Sequence, residues 1–195
     1  MDIETIDQEI FLWLNQHVGN YSWLDSIVVF IVSDYLVPIS FSFVLFALWI
    51  GWRNNEMRDL HQYNVITSIT GIILTNVFIS IINSHFFRLR PFDVHEVNLL
   101  FYMPTDSSFP ANPIAVAFAI ATGVAFVNKK LAIAMYITSS LYGFARVYAG
   151  VFYPSDIVGG AIIGLTSTLL AYFMFKYVSP IPTILIRIAR HMYLA

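Results

Sequence analysis

The chain has 195 residues, 58% of them hydrophobic and 11% charged, with a mean hydropathy of +0.71. Soluble domains carry about 25% charged residues, so this composition excludes an ordinary water-soluble domain and predicts a surface made mostly for lipid. A net charge of −2 without a sizeable basic tract argues against nucleic acid as a partner, and the lack of cysteine excludes disulfides, thiolate nucleophiles and cysteine-held metals.

The first residues carry Asp2, Glu4, Asp7 and Glu9 with no basic residue before Arg53, the reverse of the basic start of a signal peptide, so no removable leader is expected. Residues 3–17 place Ile3, Ile6, Ile10, Phe11 and Leu14 on one helical stripe against Glu4, Asp7, Gln8 and Gln16. That pattern predicts a helix lying in the membrane interface, with Trp13, Tyr21 and Trp23 at headgroup depth.

The following apolar blocks are long enough to cross about 30 Å of hydrocarbon, which takes roughly 20 helical residues. A first span is expected over residues 25–50, and it contains Asp34 and Pro38. An acid inside a span suggests a functional group, and capping of a helix that restarts near Pro38 is an equal reading. Residues 51–62 read as a polar connection and 63–87 as a second span, whose Thr67, Ser68, Thr75, Asn76, Ser80, Asn83 and Ser84 suggest an interior hydrogen-bonding face.

Residues 88–112 are irregular, with Pro91, Pro104 and Pro110, and a connection that long is usually functional or disordered. A third span over 113–127 continues a small-residue face of Ala111, Ala115, Ala119 and Gly123. After a turn at Asn128, fourth and fifth spans are expected over 131–148 and 157–177; Gly160 and Gly164 in the fifth read as a helix-packing face before a dimerisation signal. Pro180 and Pro182 precede a last amphipathic helix, 183–194.

The expected architecture is thus an all-α membrane bundle of about five spans, one domain over 1–195. Arg53, Arg58, Lys129, Lys130, Lys176, Arg187 and Arg190 fall on one side, and Arg88, Arg90 and Arg146 on the other. The richer side should be cytoplasmic, which puts the N-terminus outside, the C-terminus inside, and the 88–112 loop at the outer face of the cell membrane.

Three stretches share that outer face: Arg90-Pro91, Ser108 to Pro113, and Arg146 to Asp156. With them the chain resembles the type 2 phosphatidic acid phosphatase (PAP2) family, membrane enzymes related to vanadium haloperoxidases, whose signature is K-x6-R-P, then P-S-G-H, then S-R-x5-H-x3-D. Arg146 and Asp156 stand ten residues apart as in the third motif, followed by Gly159-Gly160, and Arg90, Pro91 and Pro110 also match. The departures are Asn83 at the lysine, Ala111, Asn112 and Pro113 at Ser-Gly-His, Ala145 at the third-motif serine and Phe152 at its histidine.

The resemblance implies that active members attack phosphorus with the third-motif histidine, protonate the leaving oxygen with the second, and hold the phosphoryl oxygens with the lysine and arginines. Phenylalanine has no lone pair for that attack. The expected protein is therefore a pseudoenzyme, a subunit of a membrane complex or a binder of lipid headgroups, with no catalytic residues, metal or cofactor. Arg90 and Arg146 are candidate headgroup-phosphate ligands, and the plainer reading pairs Arg146 with Asp156. Pro113, with Asn112 before it, reads as a helix start. His85 and His95 are the remaining imidazoles near the motifs; surface or packing roles are the plain reading, and recruitment into a divergent lipid phosphate or polyprenyl diphosphate phosphatase is the alternative. Passage of a lipid or anion between leaflets is a third reading. Partners are expected among membrane lipids, an anionic headgroup included, or another membrane protein.

Overall fold

A computed structural model describes residues 3–51, 54–178 and 181–192. Arg53, Pro180 and residues 193–195, on which parts of the expectations above rest, lie outside them. The order is α1 (Ile3–Asn15), α2 (Ser22–Ile31), α3 (Leu36–Ile50), α4 (Asn55–His85), α5 (Pro91–Val94), α6 (Asn112–Ala125), α7 (Lys129–Tyr148), α8 (Pro154–Val178) and α9 (Ile181–His191).

The expectation of about five spans is wrong. Among the described residues two helices are long and apolar enough to cross a membrane, Asn55–His85 and Pro154–Tyr177, with a third crossing if the bent pair Ser22–Ile31 and Leu36–Ile50 counts as one span. α6 has 14 residues and so reaches only about 21 Å. α7 is 20 residues long, but Lys129, Lys130 and Arg146, with Thr138, Ser139 and Ser140 between, keep it below the apolarity of a span. The sequence blocks were real helices whose length or polarity does not suffice.

α6 forms the centre and packs against α8, α4, α7 and α3. Its alanines make this approach feasible, because Ala111, Ala115, Ala119 and Ala121 are fully buried and present almost no side chain. α8 answers with Gly160 and Gly164, where any added Cβ would collide with the carbonyl oxygens of Ala111 and Ala115. Thr168 then donates to the Ala119 carbonyl at 3.0 Å.

α4 starts eight residues before the expected span. Asn54 caps it by accepting from the Glu56 N–H at 3.0 Å, and Gln62, fully buried, donates to the Trp49 carbonyl at 3.2 Å. The polar residues that read as a connection therefore lie on a helix. Its first turns meet α9, where Arg190 pairs with Asp59.

α2 and α3 meet at a 45° bend. Pro38 sits in the first turn of α3, where a missing N–H costs nothing; the helix restarts at Leu36, but Asp34 does not cap it, since the capping position is Tyr35 and has no side-chain hydrogen bond. The irregular stretch between α4 and α6 is tied down: Ser108 N–H donates to the Arg88 carbonyl at 2.9 Å and Leu100 N–H to the Ala149 carbonyl at 3.2 Å.

Candidate functional site

The turn between α7 and α8 organises the site. Arg146 lies in the last turn of α7, Gly150 takes a φ of +88° that a side-chain-bearing residue rarely adopts, and Asp156 lies in the first turn of α8. The chain reverses between them, so the two residues face different neighbours.

Arg146 pairs with Asp34 and not with Asp156, correcting the expected ion pair. Its Nη2 donates to Asp34 Oδ1 at 2.5 Å, to the Val32 carbonyl at 3.0 Å and to the Tyr142 hydroxyl at 2.7 Å. The break between α2 and α3 supplies two of these acceptors, since a helix end leaves carbonyls free. Tyr102 donates to the other Asp34 oxygen at 2.8 Å. That bond first, then partial burial, pushes the Tyr102 hydroxyl above its ordinary value. The rings of Phe101 and Tyr142 lie 4.8 and 4.9 Å from the guanidinium carbon.

Arg90 is held next to it. Nε donates to the Asp106 carbonyl at 3.0 Å, Nη2 to Asp106 Oδ1 at 2.8 Å and Nη1 to the Val151 carbonyl at 3.2 Å. Its guanidinium carbon lies 4.4 Å from the centroid of Phe152. Burial lowers its pKa from the ordinary arginine value, and Asp106 offsets only part of that. Both arginines are 2% exposed.

Asp156 belongs to a second, adjacent network. It is fully buried and accepts from Arg88 Nη1 at 2.6 Å, from the Ser108 hydroxyl at 2.5 Å and from the Tyr153 N–H at 2.8 Å. Arg88 also donates to Asp7 at 2.7 Å, and Asp7 accepts from the Ser155 N–H at 2.8 Å and its hydroxyl at 2.5 Å. Burial opposes the charge of Arg88, and the carboxylates of Asp156 and Asp7 overcome it, so its pKa stands above the ordinary value. Helix α1 is thereby fastened to the start of α8.

Arg90, Arg146, Phe152, Asn112 and Pro113 line one cavity of about 230 Å³, together with Asp34, Asp106 and Tyr102. These five therefore share one cavity. Ala111 and Ala145 are buried in the core beside it, and Pro113 stands in the first turn of α6. Asn83 lines no part of this cavity; its Oδ1 is buried without a hydrogen-bond partner among the described residues.

Neither remaining imidazole lines the cavity. His85 is exposed at the end of α4, where Nδ1 meets the Ile81 carbonyl at 2.9 Å. His95 packs between Phe11 and Tyr153, with ring centroids 6.4 Å from each. Sequence reasoning missed Asp106, Tyr102, Asp7 and Arg88. One acid on a loop and one on an amphipathic helix carry no motif, and only the need of buried arginines for counter-charge hints at them.

Residues 64–180 match the model of the PAP2 superfamily. The chain is 30% identical to the undecaprenyl-diphosphatase BcrC of Bacillus subtilis over 94% of its own length and 91% of that protein's. It is similar to the crystal structure of Aquifex aeolicus LpxE, with a TM-score of 0.64 and 26% identity over 84% of this chain and 93% of that one. It also shares a fold with a transmembrane PAP2-type phosphatidylglycerolphosphate phosphatase from Bacillus subtilis, with a TM-score of 0.62 and 21% identity over 91% and 88% of the two chains. With the two long apolar helices, these matches make it an integral membrane protein associated with membrane lipids. The matched length, the helical order and the meeting of Arg90, Arg146 and the second-motif segment in one cavity agree, and the chain belongs to the PAP2 superfamily.

Proposed function

We propose that the chain is a single-domain family member whose cavity binds the phosphate of a lipid headgroup and performs no histidine-dependent phosphoryl transfer. The observation that carries this reading is Phe152. Its ring lies under Arg90, 4.4 Å from the guanidinium carbon, at the motif position of the attacking imidazole, and a benzyl group can neither attack phosphorus nor hold its proton. Asn112 and Pro113 line the same cavity at the motif positions that precede and bear the proton donor. Two buried guanidinium groups suit a phosphate. Their convergence on a cavity favours headgroup binding over a role as a subunit alone. In this reading the cavity faces the outside and the C-terminus the cytoplasm, because Lys129 and Lys130 lie at the opposite end of α7 from Arg146 and the side richer in lysine and arginine is the inner one.

A second reading, hydrolysis of a lipid phosphate or polyprenyl diphosphate, is supported by the relative named an undecaprenyl-diphosphatase. Taken alone, the comparisons favour it over an inactive protein. With no histidine among the residues lining the cavity, it requires water as the nucleophile and Asp34 or Asp106 to take its proton.

One assay separates the two. Purified protein is given lipid phosphates and undecaprenyl diphosphate, with the Bacillus subtilis relative as control, and released phosphate and bound lipid are measured. Loss of attacker and proton donor together should place release about 10⁴-fold or more below the control, while lipid phosphate binds. Release near the control rate, abolished by Arg146→Ala, establishes the hydrolytic reading and ends the first.

A further inference from the structure

The charges lining the cavity sum to zero. Arg90 and Arg146 contribute two positive charges, Asp34 and Asp106 two negative ones, and the other lining side chains are neutral. The arginine side chains are 3% exposed, whereas those of Asp34 and Asp106 are 38% and 65% exposed. The cationic groups are thus fixed in the wall, and the acids sit at the mouth. A phosphate dianion entering this cavity displaces the carboxylates from the arginines and leaves them beside it as like charges, a cost that lowers affinity.

Two atoms of opposite kind are also left without partners. Arg146 Nε is a buried donor and Asn112 Oδ1 a buried acceptor, each unpaired among the described residues, and both residues line this cavity. Such atoms are rare in folded proteins and carry a desolvation cost that a ligand can relieve. An anion supplies acceptors for Arg146 but at best one or two neutral O–H donors for Asn112, whereas a primary ammonium brings three N–H donors and a positive charge. The cavity, about 230 Å³, is smaller than the roughly 300–1,000 Å³ of larger ligand sites, so it holds a headgroup and not a lipid body.

We propose that the cavity selects a zwitterionic phosphate ester bearing a primary ammonium, with the phosphate on Arg90 and Arg146 and the ammonium on Asp34, Asp106 and Asn112 Oδ1. This rests on the headgroup reading above and specifies its ligand. Entry of such a headgroup exchanges ion pairs instead of adding charge: each Arg–Asp pair opens, the guanidinium groups take phosphate oxygens, and the carboxylates take ammonium N–H groups. A trimethylammonium headgroup fails this exchange, since it has no N–H for Asn112.

The test uses the full-length protein in phosphatidylcholine nanodiscs, with calorimetric titration of glycerophosphoethanolamine, glycerophosphocholine and inorganic phosphate. The expected result is that glycerophosphoethanolamine binds at least about 10-fold more tightly than the other two, the size of one good charged hydrogen bond. Asp106→Asn, at an exposed position, should cut that preference over phosphate about 5-fold or more while strengthening phosphate binding. Asn112→Leu should cut the preference as a second, independent variant. Equal affinity for the ester and for phosphate, or a ratio unchanged in both variants, overturns the inference while leaving headgroup binding intact. Binding of none of the three, together with an Arg146→Ala variant that changes nothing, overturns the headgroup reading itself. Phosphatidylethanolamine added to the nanodiscs competes with the soluble ester if the natural source is the bilayer, and does not if it is a free ester; the selectivity is established by the ratio in either case.

Discussion

Arg146→Ala removes a guanidinium that is held at three acceptors and faces two aromatic rings. Hydrogen bonds to charged groups contribute about 1.5–3 kcal/mol each, so lipid-phosphate binding measured by titration should weaken about 10–100-fold. Arg146→Lys should recover little of it, because an ammonium cannot present the same planar fork. Arg88→Ala has a different consequence. It leaves Asp7 and Asp156, 5% and 0% exposed, without their shared counter-charge, and breaking a buried pair costs about 3–5 kcal/mol. The unfolding midpoint in detergent should fall accordingly, with a larger loss than for Arg190→Ala, whose partner Asp59 is half-exposed. The identity of the ionic partners was not legible in the sequence. Arg146 and Asp156 are near in the chain yet face different neighbours, while the true partner Asp34 is 112 residues away. Order and spacing alone assigned side chains to motif positions, and of those assigned Arg90, Arg146, Asn112, Pro113 and Phe152 line one cavity.

At the scale of helices, the apolar blocks and small-residue stripes predicted α3, α4, α6, α7 and α8, but not how many of them cross a membrane. Composition marks α6 as apolar without revealing that it stops after 14 residues. The polar run at Asn55–Gln62 reads as a connection although His61 and Gln62 are buried inside helix α4, because a polar residue facing a helical neighbour has no periodicity of its own. The Gly160 and Gly164 face of α8 is occupied within the chain by the Ala111 and Ala115 carbonyls. Gly164→Leu should therefore lower thermal stability by about 1–3 kcal/mol or more through overpacking. Size-exclusion chromatography should show the oligomeric state of the surviving folded protein unchanged.

For the molecule as a whole, the proposed orientation can be tested directly because the chain contains no cysteine. Glu96→Cys and Lys130→Cys place a single thiol at exposed positions in the 86–111 connection and near the start of α7. In intact cells a membrane-impermeant maleimide should label the first and reach the second only after permeabilisation. The reverse result would turn the cavity toward the cytoplasm and change the pool of lipids it meets.

The fastening of Asp7 to Ser155 spans 148 residues. A ribosome adding about 5–20 residues per second needs roughly 7–30 s to traverse that distance. Arg88, the other partner of Asp7, emerges well before Ser155 does, so the opening helix holds only part of its anchorage until the start of α8 is made. Closure of the N-terminal end is therefore a late event in biogenesis, contingent on emergence of the α8 start.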